Sequence, residues 1–106
     1  MPAGEDGEDK EMTISQFQHL IEKIYYEKDA KRGVERTFLW FAEEVGELAR
    51  AIRKKDKSKL QGEFSDTFAW LAGLASLVNI DLEKAASDYR KGCPDCRKLP
   101  CQCPEP

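Results

Sequence analysis

The chain has 106 residues with a net charge of −3, and 41% of them are hydrophobic and 35% charged. This length fits one domain with a small core, and the acidic balance gives no reason to expect nucleic-acid binding. The longest apolar run, residues 68–80, is shorter than the roughly 20 residues that cross a bilayer. We therefore expect a soluble, cytoplasmic protein that binds neither nucleic acid nor membrane.

The first predicted helix follows an acidic, glycine-rich N-terminus, residues 1–12, which lacks apolar periodicity and is predicted to be disordered. Thr13 and Gln16 have the spacing of a capping box, and the helix is predicted to continue to about Asp29. Apolar residues recur along it at steps of three and four, which indicates one buried stripe. They are Ile14, Phe17, Leu20, Ile21 and Ile24.

The second predicted helix runs from Val34 to Lys54, and its apolar residues again share one face. The residues expected to be buried are Phe38, Phe41, Val45, Leu48 and Ile52. A third helix is predicted to continue to about Val78, with Ser58 and Gln61 as its capping pair.

The last predicted helix is short and covers Leu82–Tyr89, with Asp81 as its N-cap and Gly92 and Pro94 as stop signals. Period-two alternation and hairpin turns are absent from the sequence. We predict an all-α fold, a helical bundle of about four helices over residues 13–91 with a short C-terminal Cys-rich tail, residues 92–106. Two long antiparallel helices carry the acidic motifs described next.

Acidic residues pair at a spacing of three on both long helices, and such residues are neighbours on one helix face. Glu44 and Glu47 form one pair, and Glu63 and Asp66 form the other. If the helices pack antiparallel, four carboxylates face each other, and their repulsion is relieved by Mg²⁺, which prefers oxygen ligands. The alternative is a solvated acidic face, which is the usual interpretation of either pair alone.

The spacing of Glu43, Glu44 and Glu47, followed by Glu63 and Asp66, resembles the signature of MazG-type nucleotide pyrophosphohydrolases, the all-α NTP pyrophosphatase superfamily. The similarity extends over residues 13–91. It implies a Mg²⁺-dependent hydrolysis of a (deoxy)nucleoside triphosphate to the monophosphate and pyrophosphate, by metal-activated water and with two or more ions, in nucleotide-pool sanitation.

The resemblance also implies roles for individual residues. All five acidic residues are predicted to be catalytic, and four of them are predicted metal ligands: Glu44, Glu47, Glu63 and Asp66. Relatives carry a Lys and an Asn that reach the phosphates, but this sequence has no matching pair, so Lys84, Arg90 and Lys91 are candidates for the cationic role. Trp70, one turn beyond Asp66, either stacks on the base or packs in the core.

Four cysteines lie in the tail and none elsewhere: Cys93, Cys96, Cys101 and Cys103. Four thiolates make a closed tetrahedral site, which predicts a structural Zn²⁺. The alternatives are a reduced, unstructured tail or disulfide bonds.

Two other functions remain open at this stage. One is phosphoribosyl-ATP pyrophosphohydrolase activity on the same scaffold, and the other is a non-catalytic helical module that binds a protein partner, with a zinc tail. A bundle this thin exposes apolar faces, and the resemblance implies dimers or tetramers, so we expect a homodimer or homotetramer.

Overall fold

A computed structural model describes residues 11–105, and within this range the protein contains four α-helices and no strand. They are α1 (Ile14–Arg32), α2 (Val34–Arg53), α3 (Lys57–Leu77) and α4 (Leu82–Ala86), followed by a 3-10 turn, Ser87–Tyr89. The predicted all-α fold is confirmed. Most of the N-terminal segment predicted to be disordered lies outside the described residues. Within the described range, every helix is too short or too polar to span a membrane.

Local capping fixes the starts of α1 and α4 as the sequence predicts. Gln16 donates its backbone N–H to Thr13 Oγ1 at 3.0 Å, and Thr13 donates its own N–H to Gln16 Oε1 at 2.8 Å. At α4, Asp81 Oδ1 accepts the N–H groups of Glu83 and Lys84. The fourth helix is shorter than predicted, because the α-helical hydrogen bonding ends at Ala86 and gives way to the 3-10 turn.

The predicted capping pair of the third helix, Ser58 and Gln61, is wrong. The helix begins two residues earlier than this pair implies, at Lys57, with Asp56 as its N-cap. Ser58 lies inside the first turn, where its hydroxyl donates to Asp56 Oδ1 at 2.7 Å and lowers the pKa of that carboxyl. Because Ser58 already lies within the helix, it cannot be the N-cap.

Helix α3 is central, since it packs against both α1 and α2, which contact each other much less. The rings of Trp40 on α2 and Trp70 on α3 stack with centroids 6.3 Å apart. Residues 54–56 join the two helices, so α2 and α3 form an antiparallel hairpin. This hairpin holds the acidic motifs opposite each other.

A buried glutamine ties α1 to the end of α3 and the start of α4. Gln18 donates its Nε2 hydrogens to Ser76 Oγ at 3.1 Å and to the Ile80 carbonyl at 2.8 Å. Its Oε1 accepts the Leu82 N–H at 2.9 Å. The side chain is 6% exposed, so its three hydrogen bonds are sheltered from competing water.

The core of the protomer consists of small residues, and the predicted buried faces are therefore wrong in large part. The buried hydrophobic residues are Ile21, Ala51, Ala72 and Ala75. Large side chains expected inside are exposed in the single chain: Leu20, Ile24, Phe38, Val45 and Ile52. Phe64, Phe68 and Leu71 on α3 are exposed as well. Three helices bring small side chains into close contact along α3 and have no further layer to cover the large ones.

Candidate metal and nucleotide site

Three acidic side chains from α2 and α3 converge in the middle of the hairpin. Carboxylate oxygens of Glu44, Glu63 and Asp66 lie within 4.8 Å of one another. Glu63 and Asp66 share a face of α3 because they are three residues apart. The antiparallel packing of α2 places Glu44 against that face. We call these three residues the carboxylate cluster.

Glu47 and Glu43, the other two acidic residues predicted here, lie outside the carboxylate cluster. Glu47 Oε1 instead accepts a hydrogen bond from Arg50 Nη1 at 2.8 Å, within α2. Glu43 is exposed on a neighbouring face of the same helix. Both charges still act on the cluster, because each contributes to raising the pKa of Glu44.

Glu44 has a pKa above its ordinary value of 4.5. Partial burial is the largest cause, followed by repulsion from Asp66, Glu63, Glu47 and Glu43 in that order. Within residues 11–105, no lysine or arginine forms an ion pair with Glu44, Glu63 or Asp66. The cluster therefore concentrates negative charge that protein cations leave uncompensated.

This arrangement fits a hard divalent cation. Mg²⁺ binds one or two carboxylates together with waters and substrate phosphates. Glu44, Glu63 and Asp66 supply oxygen ligands on rigid helices. A bound cation would relieve the repulsion between their carboxylates, which favours binding. The cluster is also open to solvent on one side, since Asp66 is exposed, which leaves room for a substrate.

A cleft of about 190 Å³ adjoins the carboxylate cluster and shares Asp66 with it. Its other lining residues come from α1 and α3 and include two cations and two aromatic rings. They are Tyr25, Lys28, Asp29, Arg32, Ala69 and Trp70. A charged triphosphate and a flat base are the kinds of group that such a lining accommodates.

Arg32 is held over one wall of this cleft by three contacts. Its Nη1 donates to Asp29 Oδ1 at 2.7 Å and to Thr37 Oγ1 at 3.4 Å. Its guanidinium carbon lies 5.0 Å from the centroid of the Trp70 ring. Asp29 and Thr37 are buried, so the guanidinium is attached to a fixed part of the fold.

Gly73 allows α1 to approach α3 at this point. A Cβ atom at residue 73 would lie 2.6 Å from Asp29 Oδ2 and 3.8 Å from Ile21 Cγ2. Because glycine lacks that atom, the Asp29 carboxylate can lie directly against α3. Gly73 therefore helps to position Arg32 beside Trp70.

Of the predicted substrate-binding residues, only Trp70 lines the cleft. Lys84 and Arg90 line a separate cleft near α4, and Lys91 lies with Arg90 beside the tail. Sequence reasoning passed over Tyr25, Lys28 and Arg32. One available signal was that Lys28 and Arg32, four residues apart, share a face of α1.

The four cysteines of the tail also converge, and their sulfur atoms lie within 4.8 Å of one another. The backbone N–H of Gln102 donates to Cys96 Sγ at 3.3 Å and is the main reason that the pKa of this thiol falls to about 6. Contacts with the sulfurs of Cys101, Cys96 and Cys93 raise the pKa of Cys103 to about 12. This group can bind a metal ion, whose charge would allow all four thiols to ionise.

The all-α hairpin with facing carboxylates defines a class of protein, helical bundles with a candidate metal site between two helices. Residues 32–93 match the family model of the MazG nucleotide pyrophosphohydrolase domain. The match covers more than half of the chain, and the chain therefore belongs to the MazG family, as its motifs predict. No curated protein matches the chain significantly.

Proposed function

We propose that the protein is a Mg²⁺-dependent nucleoside triphosphate pyrophosphohydrolase, which converts a (deoxy)nucleoside triphosphate to the monophosphate and pyrophosphate. The observation that carries this proposal is the carboxylate cluster of Glu44, Glu63 and Asp66, whose oxygens lie within 4.8 Å of one another beside the Arg32–Trp70 cleft. Membership of the MazG family supports the reaction class.

In this proposal Glu44, Glu63 and Asp66 hold the metal, and Glu47 joins them after releasing Arg50. Bound Mg²⁺ would neutralise charge on the phosphates and lower the pKa of the attacking water. Glu43, exposed next to Glu44, is placed to orient a water or a ligand. The attacking group in this proposal is water rather than a side chain, and the residues that line the cleft include no histidine or cysteine.

The cleft residues orient the nucleotide in this proposal. Trp70 contributes an aromatic ring to the cleft, and a base would stack on it in place of the Arg32 guanidinium, which lies 5.0 Å from the ring centroid. Stacking alone does not choose among bases. Lys28 and Arg32 provide positive charge beside Asp66 and would attract phosphate oxygens. This division places the base beside Trp70 on α3 and the phosphates beside Lys28 and Arg32 on α1, next to Asp66. The proposed physiological role is removal of unwanted nucleotides from the cellular pool.

We further propose that the protein works as a homodimer or homotetramer. Phe38, Leu39 and Trp40 are 51%, 65% and 50% exposed on α2, and Phe64 on α3 is 56% exposed. A run of large apolar side chains at the surface is a feature of protein interfaces. Lys84, Arg90 and Lys91, which lie away from the cleft in one protomer, could then reach the site of a neighbouring one.

The test is a panel of ribo- and deoxyribonucleoside triphosphates incubated with the protein and Mg²⁺, with product identification by anion-exchange chromatography. We expect monophosphate and pyrophosphate in equal amounts, and a loss of at least about 100-fold in Glu63→Gln. Glu35→Gln is the matched control, since Glu35 is exposed at the start of α2, and it should keep full activity.

The same assay extended to phosphoribosyl-ATP, together with melting temperatures measured with and without Mg²⁺, separates the alternatives. Equal activity of Glu63→Gln and the unmodified protein would contradict the assignment of the site. Activity on phosphoribosyl-ATP alone, with rescue of a histidine auxotroph, would assign the sister reaction. If no substrate is cleaved and Mg²⁺ leaves the melting temperature unchanged, the chain is a non-catalytic module instead.

A further inference from the structure

The tail contains a second group of metal-binding side chains, distant in sequence from the carboxylates and chemically different from them. Cys93 and Cys96 come from a Cys-Pro-Asp-Cys turn, and Cys101 and Cys103 follow after four residues. Sulfur is a soft ligand and carboxylate oxygen a hard one. The two groups therefore select different ions, and the cysteines need an explanation of their own.

Two of the distances between the sulfur atoms match those of a tetrahedral metal site, and the others are compatible with one. Cys93 Sγ lies 3.8 Å from Cys103 Sγ, and Cys96 Sγ lies 3.9 Å from Cys101 Sγ. All four sulfurs lie within 4.8 Å of one another. A tetrahedral ion with metal–sulfur bonds of about 2.3 Å holds its ligands about 3.8 Å apart, and disulfide sulfurs are only about 2.05 Å apart.

The backbone around the cysteines is arranged to present all four sulfurs inward. Arg97 donates its N–H to the Cys93 carbonyl at 2.7 Å, and Cys93 donates its own to the Lys98 carbonyl at 3.0 Å. This tight turn puts Arg97 at φ 63°, and Gly92 at φ 99° has no room for a Cβ, which would lie 2.7 Å from Lys98 O.

Backbone N–H groups also support the sulfurs directly. Gln102 donates to Cys96 Sγ, and Cys103 donates to Cys101 Sγ, both at 3.3 Å. Such hydrogen bonds stabilise a thiolate and orient it towards a metal. They supply the outer partners that a metal site needs beyond its ligands.

Little besides these contacts holds the tail in one conformation. Its one large aliphatic side chain, Leu99, is 89% exposed. Within residues 11–105, every hydrogen bond of residues 92–105 is made inside the tail or to Tyr89 at its start. A segment of this length without an apolar core requires a cross-link or a metal to fold.

We propose that Cys93, Cys96, Cys101 and Cys103 bind one structural Zn²⁺ per chain, and that this ion folds residues 92–103 independently of the helical hairpin. Four thiolates close the coordination shell, so the ion has no position for water or substrate. The site is thus a folding element of the tail and takes no part in hydrolysis at the carboxylate cluster. This inference does not depend on the proposed function.

The first test measures the metal content of the full-length protein, purified under reducing conditions, by inductively coupled plasma mass spectrometry. We expect one zinc per chain, and replacement by Co²⁺ should give the absorption bands of a tetrahedral four-thiolate site. Cys96→Ser and Cys101→Ser should lose the zinc. Glu63→Gln, at the other site, is the matched control and should retain it.

The second test measures the folding of the tail itself by limited trypsin digestion, since Arg97 and Lys98 lie inside the proposed zinc turn. Zinc-loaded protein should be cut there roughly tenfold more slowly than protein treated with a zinc chelator. The helical circular dichroism signal should be the same in both. This comparison separates loss of the tail from failure of the whole chain to fold.

Several outcomes would overturn the proposal. They are full zinc content in Cys96→Ser, one iron per chain in place of zinc, disulfide bonds in protein kept reduced, or trypsin cleavage at the same rate with and without the chelator. Failure of the hydrolysis assay has no bearing on this result, because zinc content and tail cleavage are measured without a nucleotide.

Discussion

At the scale of single residues, Glu44 is the side chain whose ionisation the fold disturbs most clearly within the carboxylate cluster. Burial and four acidic neighbours raise its pKa above 4.5. A group with a raised pKa in the folded state favours folding when it is protonated. That contribution is complete below pH 4.5 and is lost as the pH rises through the raised value, so ionised Glu44 opposes folding at neutral pH.

We therefore predict that Glu44→Gln, in buffer without divalent ions at pH 7, raises the melting temperature by about 1–4 °C. The estimate assumes that relief of a partly solvated like-charge contact is worth a fraction of a kcal/mol. The difference should shrink towards pH 4, where the native side chain is also protonated. Added Mg²⁺ should stabilise the unmodified protein and leave the variant nearly unchanged.

Differential scanning fluorimetry across this pH range checks the prediction. Glu27→Gln, an exposed change on α1, serves as control and should have the same midpoint as the unmodified protein. A lower melting temperature for Glu44→Gln at pH 7 would mean that the ionised carboxylate has a stabilising partner.

At the scale of helices, the junction of α1 and α3 depends on one small residue. The Gly73→Ala substitution adds a methyl group 2.6 Å from Asp29 Oδ2, and Asp29 is buried and bound to Arg32. We predict a loss of about 1–3 kcal/mol of stability, as for overpacked cores. The matched control, Gly62→Ala, meets open space on the same helix and should add up to about 1 kcal/mol.

Urea denaturation measures the free energy of unfolding of both variants, which should fall in Gly73→Ala and rise in Gly62→Ala. Equal stability of Gly73→Ala and the unmodified protein would show that Asp29 and Arg32 rearrange at no cost. In that case the position of Arg32 in the cleft would depend less on α3 than its contacts indicate.

The helical scale also shows which features were predictable from sequence. The starts of α1 and α4 depend on side chains within a few residues, as with Thr13 and Asp81, and these predictions are confirmed. Three of the four predicted carboxylates form the cluster, because spacing along a helix fixes the face of each one. Glu47 binds Arg50 instead. Burial could not be predicted, since Phe38 and Val45 share a helical face that no other helix of the described chain covers.

The Arg32–Trp70 cleft could not be predicted from the sequence, for a related reason. It requires α1 to lie against α3 at Gly73, and this close approach joins residues more than 40 positions apart. The four-residue spacing puts Lys28 and Arg32 on one face of α1, but it does not tell which face of α1 lies beside Trp70. Long-range packing of this kind follows from the whole set of helix contacts.

At the scale of the whole molecule, the apolar surface of α2 should control association. Leu39 is 65% exposed, and a charge at this position would be costly to bury in an interface. We predict that Leu39→Glu lowers the apparent mass to that of one chain, a shift of more than about tenfold in dissociation constant. Leu99→Glu, at an exposed position in the tail, is the control.

Sedimentation velocity over a range of micromolar concentrations measures this effect. The unmodified protein and Leu99→Glu should sediment as the same oligomer. A single-chain species for the unmodified protein would contradict the proposed association and leave the exposed side chains of α2 without an explanation. Unchanged sedimentation of Leu39→Glu would place the interface elsewhere on the surface.

The stacking of Trp40 on Trp70 has a practical consequence. These are the two tryptophans of the chain, and both report on one small region, with Trp70 in the cleft and under the Arg32 guanidinium. The intrinsic emission of the protein is therefore a built-in optical probe of the cleft. Occupancy of that cleft can be followed in real time with unlabelled protein, without a chemical reporter and without waiting for turnover.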